Sequence, residues 1–134
     1  MNEILQKQCD YVGKQVRAAV NGLSEEGWNT RPTETAMTPR EIVTHLCGVY
    51  EYATAKARGE QATWTEYACA GDTNELMADF DSKRQEAITA CLASEDPYEM
   101  LTDYIIVHDA YHVGQLCTAR FVVQPDWDPY AIYS

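Results

Sequence analysis

The chain has little positive charge. Ten Lys and Arg stand against 21 Asp and Glu, a formal net charge of −11 with neutral histidine, and no basic run occurs. A surface of that sign repels phosphate backbones and anionic headgroups, which argues against nucleic acid and membrane surfaces as partners. Long apolar runs are also missing, none approaching the ~20 residues of a membrane span. There is no glycine-rich phosphate loop. The five cysteines contain no C-x-x-C pair, so no zinc knuckle or dithiol redox motif arises locally. Odd in number and widely spread, they read as small apolar core fillers. The opening residues, MNEILQKQCD, lack a basic start followed by an apolar run, and a reducing cytoplasm is the expected location. Alternation with period two is nowhere sustained, so a sheet is not expected.

What is present is a series of helix starts. Thr38 to Glu41 (T-P-R-E), Asp72 to Glu75 (D-T-N-E) and Asp96 to Glu99 (D-P-Y-E) each place a side-chain acceptor three residues before a glutamate, the pattern that caps free N–H groups at a helix N-terminus. Apolar residues then follow at three- and four-residue steps. Four helices are predicted: Asn2 to Asn21 (stripe Leu5, Cys9, Val12, Val16, Val20), Pro39 to Arg58 (Ile42, His45, Leu46, Val49, Ala53), Thr73 to Ala93 (Leu76, Phe80, Ala87, Cys91) and Pro97 to Val122 (Leu101, Ile105, His108, His112, Gln115, Ala119). The third has the weakest apolar face, interrupted by Lys83 and Arg84. Residues 1–134 read as one all-α domain, a four-helix bundle, whose core is a common place for ligand and metal sites. Long loops follow the first and second helices, over 22–37 and 59–72, and the tail QPDWDPYAIYS is expected to pack as an extended strap. Loops of this length in a compact domain are often functional.

All three histidines fall on inward stripes. His108 and His112, in HDAYHVGQL, are one helical turn apart on one face, and His45 faces inward from the second helix. A single inward histidine is usually a hydrogen-bonded core residue. Three are costly to bury without a shared purpose, and three nitrogens with an open position are the donor set of a catalytic zinc. Spacing alone admits either a metal site or a packed interface. HDAYH differs from the zincin H-E-x-x-H in having Asp109 where that motif has glutamate, with no third ligand downstream, so a protease is not expected. The paired Glu-x-x-His motifs of a di-iron bundle are absent.

TPREIVTHL (Thr38 to Leu46) together with HDAYHVGQL (His108 to Leu116) resembles the DinB/YfiT-like superfamily of metal-binding four-helix bundles, as does LSEEGWNTRP (Leu23 to Pro32) ahead of the second helix. The resemblance implies His45, His108 and His112 as ligands of a divalent metal, zinc or nickel, with Gln115 supporting them and Gly114 admitting a neighbouring helix. It also implies a homodimer and, in some members, a low-molecular-weight thiol cosubstrate. The expected function is metal-dependent thiol transfer, isomerisation or hydrolysis on a small electrophilic molecule, or else a non-catalytic metal-binding stress-response dimer. Candidates for the pocket or the ligands' support are Gln115, Asp109, Trp28, Trp64, Tyr104 and Tyr111. Val107, Leu116 and Phe121, apolar and off the metal-facing stripe, are candidates for the dimer contact.

Overall fold

The computed structural model describes residues 1–134 and is built from helices and connecting turns, with no strand. Helix α1 spans Asn2–Val20, α2 Glu25–Trp28, α3 Pro39–Ala57, α4 Thr73–Leu92, α5 Pro97–Leu101 and α6 Val107–Val123. Between α5 and α6 a π-helical segment, Thr102–Ile106, keeps the rod continuous. No helix is long and apolar enough to cross a membrane.

The predicted starts sit where the capping chemistry puts them. Thr38 accepts from the Glu41 N–H while Glu41 reaches back to the Thr38 N–H, a full capping box with Pro39 at the first helical position. Asp72 and Asp96 each accept from the N–H three residues on, at Glu75 and Glu99. A cap of this kind is worth ~1 kcal/mol. Three of these helices then bury their predicted stripes. Leu5, Cys9, Val12, Val16 and Val20 of α1 join Leu76, Phe80, Ala87 and Cys91 of α4 and Ile42, Leu46 and Ala53 of α3 in one core. The main pairings are α3 with α4 and α1 with α6.

Three features differ from the sequence reading. The 22–37 loop contains α2, capped by Ser24, which brings Trp28 into the core. The tail is not an extended strap: Asp128 caps a 3₁₀ turn over Pro129–Tyr133 that packs on α1, because Pro129 presets its first residue. The π segment, a type of insertion frequent at functional sites, ends two residues before His108.

Candidate metal centre

His45 projects from the second turn of α3, and His108 and His112 from the first two turns of α6. The Nε2 atoms of His45 and His108 lie 3.4 Å apart, and those of His108 and His112 3.3 Å apart. One nitrogen from each ring falls within a group no wider than 4.8 Å. Four-coordinate zinc with bonds of ~2.0–2.1 Å needs nitrogens separated by roughly 3.3–3.4 Å, the edge of the tetrahedron. Both separations match that edge.

Hydrogen bonding sets one tautomer. Gln115 Nε2 donates to the Tyr111 hydroxyl at 3.1 Å, which turns its Oε1 to accept from His112 Nδ1 at 2.7 Å. A proton on Nδ1 leaves the His112 Nε2 lone pair facing the other two rings. His108 Nδ1 is buried with no partner, so its ring is anchored only through Nε2. Burial holds all three imidazoles below the ordinary histidine range. His108 is lowered to about 4, with His112 and His45 adding to the effect, while the Gln115 bond partly opposes the shift at His112. Near neutral pH the cluster is therefore three uncharged imidazoles whose Nε2 atoms converge, which suits a cation.

The other sequence candidates divide into two groups. Trp64 stands 5.5 Å from His45, ring to ring, and Gly48 makes room for it, since a Cβ there would come 3.2 Å from the indole. Tyr111 lies edge-on to His112. With Gln115, these two surround the triad. Trp28 is in the hydrophobic core instead, and Tyr104 accepts from Lys56 and packs on Tyr52. Asp109, one residue from His108, lies about 100° further round the helix. Its carboxylate is fully buried and accepts from Tyr50 at 2.7 Å and from Arg84 Nε at 3.0 Å. Sequence reasoning missed Arg84 and Tyr50. The guanidinium also donates to the Cys9 carbonyl on α1 and lies against Gly13, where a Cβ would come 2.5 Å from Nη1. Arg84, Asp109 and Tyr50, with the Cys9 carbonyl, thus tie α1, α3, α4 and α6 together.

A cavity of about 400 Å³ opens on the His45 side of the triad. The first turns of α3 (Arg40, Thr44, His45) form its floor, and the 59–72 loop (Trp64, Tyr67, Cys69) forms its roof. Arg40 donates to the Cys69 and Gly71 carbonyls, and Tyr67 donates to Asp79, so both side chains pin that loop down.

Three converging imidazoles inside a helical bundle, with a cavity beside them, form a group that could hold a metal ion. The chain belongs to the DinB superfamily, whose family model matches residues 8–116. No curated protein and no solved structure matches it at a comparable level.

Proposed function

We propose that the chain is a divalent-metal enzyme, with His45, His108 and His112 as ligands to zinc or nickel, acting on a small electrophilic molecule by thiol transfer, isomerisation or hydrolysis. The observation that carries this is the convergence of three imidazole Nε2 atoms beside a cavity large enough for a small substrate. Imidazole donors suit zinc and nickel, and neutral ligands leave the ion its full charge. When bound, such a metal lowers the pKa of a coordinated water or thiol and supplies a nucleophile near neutral pH. Around that position the chain's own groups have separate tasks: Gln115 fixes the His112 tautomer, Trp64 shields His45, and the pinned 59–72 loop limits access of water.

An open coordination position separates this reading from a purely structural metal. In protein loaded with cobalt, adding a small thiol should produce a thiolate-to-metal charge-transfer band, and the same thiol paired with electrophiles should show turnover that needs the metal. A spectrum indifferent to thiols, azide and other small donors, with no turnover, would mean a closed sphere and a non-catalytic role.

The lowered imidazole values set the pH response. Protons compete for free histidine near ~6.5, but here competition begins only towards the lower folded values, with His108 at about 4. Protons should therefore displace zinc only at a lower pH than they would from ordinary histidines. A pH titration of bound zinc tests this. Half-loss at about pH 6.5 would mean imidazoles as accessible as those of a peptide.

A further inference from the structure

Of the ten basic side chains, six stand against a carboxylate, as expected on a chain with 21 acidic residues. Lys14, Arg40, Lys56 and Arg120 do not. Lys14 lies on the exposed side of α1, Lys56 is turned to the Tyr104 hydroxyl, and Arg120 donates to the Ala19 and Asn21 carbonyls. Arg40 differs in its place: it is half-buried and lines the cavity beside the triad. Its Nη2 donates to the Gly71 carbonyl at 2.6 Å and to the Cys69 carbonyl at 3.4 Å, which leaves the N–H groups of Nε and Nη1 without an acceptor in the chain. His108 Nδ1 is the one buried side-chain polar atom that lacks a partner, so these Arg40 donors reach open space rather than packed interior.

Arg40 and His45 belong to one helix, their Cα atoms ~9 Å apart by helix geometry, and both face the same cavity of about 400 Å³. Met37 and the Trp64 indole give that cavity an apolar wall. The negative charge in its lining is mostly answered. Glu41 accepts from the Thr38 N–H and is paired with Arg31 at 2.9 Å, and these contacts hold its carboxyl below the usual range. Glu66, on the exposed part of the 59–72 loop, is the one carboxylate of the lining with no cation beside it. A molecule filling this space meets imidazole nitrogens, an apolar wall and a guanidinium with unused donors. The complementary ligand has a metal-binding atom, a short hydrocarbon body and an anionic group, and a carboxylate is a compact acceptor for charge-assisted bonds from arginine.

We propose that Arg40 selects the substrate: the cavity takes small carboxylates, whose acid group accepts from Arg40 Nη1 while the other end reaches the metal held by the histidines. The metal end rests on the function proposed above; the guanidinium end does not. One side chain then serves two purposes, holding the loop through Nη2 and the ligand through Nη1. The test is to titrate the cobalt-loaded full chain with mercapto carboxylic acids of increasing chain length, each beside the mercapto alcohol of the same length, and to read affinity from the charge-transfer band. Hydrogen bonds to a charged group are worth roughly 10–100-fold in affinity, so at the best length the acid should bind at least about tenfold more tightly than the alcohol. Arg40→Gln should abolish that preference, and Arg40→Lys, which keeps the charge, should retain part of it. Glu66→Gln, which removes an exposed opposing charge, should raise it about twofold. Acid and alcohol are compared in the same protein, so any loosening of the loop in Arg40→Gln affects both and cancels in the ratio. A wild type without preference for the acid, or an Arg40→Gln protein that weakens acid and alcohol equally, would overturn the proposal and leave Arg40 as a loop clamp alone. If neither compound changes the cobalt spectrum, the open metal position is wrong. Quenching of tryptophan fluorescence by the acids in metal-free protein then decides the guanidinium site, its loss in Arg40→Gln supporting the proposal and its absence in wild type overturning it.

Discussion

Arg84→Met should destabilise the fold by about 3–5 kcal/mol, the cost of leaving a buried carboxylate without its ionic partner. Asp109 has no exposed surface, and its remaining donor would be the Tyr50 hydroxyl. Burial already pushes the Asp109 carboxyl up to about 6 against the pull of Arg84 and Tyr50, so losing the guanidinium must push it higher. A folded value above the unfolded one means that the folded state binds the extra proton. This group's contribution is then fully present below the unfolded value of 3.8 and is lost as pH rises through the folded one. The variant should therefore be weakest, relative to wild type, at about pH 8, and recover part of the difference at about pH 5. Adding Asp109→Leu removes the stranded charge, and the double variant should regain more than half of the loss, since buried ion pairs are often replaceable by apolar residues at little cost. Urea unfolding at two pH values measures all of this. A single variant within 1 kcal/mol of wild type at about pH 8 would show that water reaches the pair and that it does not organise the core.

Much of the fold was legible because its signals are local. A cap and a glutamate three residues later mark a start within one turn, and apolar steps of three and four residues mark a buried face, so the predicted limits of the long helices hold to within a residue. The histidine triad was legible for a related reason. His108 and His112 must share a face if their segment is helical, and His45 is phased by Ile42, Leu46 and Val49 around it. The Arg84 network was not legible, because its partners are 25 and 75 residues apart in the chain and the sequence shows only a charge interrupting an apolar stripe. Gly13 was the available hint: a glycine in the middle of α1 carries a helix penalty that makes sense once a guanidinium needs the space. Asp109 is next to His108 in sequence. The helical rotation of one residue turns it into the core instead. The π segment has no local signature comparable to a cap, and the tail turn depends on Asp128 and Pro129 acting together in a stretch too short for periodicity.

The central claim, a three-imidazole centre drawn from two separate helices, is tested most directly through His45, because His108 and His112 could form a two-ligand site on α6 alone. Losing only the support of a ligand costs ~10–100-fold, so losing a ligand should cost roughly 100-fold or more in zinc affinity. The fold should survive, since His45 is half-buried with Nε2 turned to the other imidazoles. Zinc affinity of wild type and His45→Ala, measured by competition with a chromophoric chelator and with circular dichroism as the check on folding, decides the matter. The expected result is one zinc per wild-type chain and an affinity at least about 100-fold lower in the folded variant. Equal affinity and full occupancy in His45→Ala would contradict a centre shared between α3 and α6.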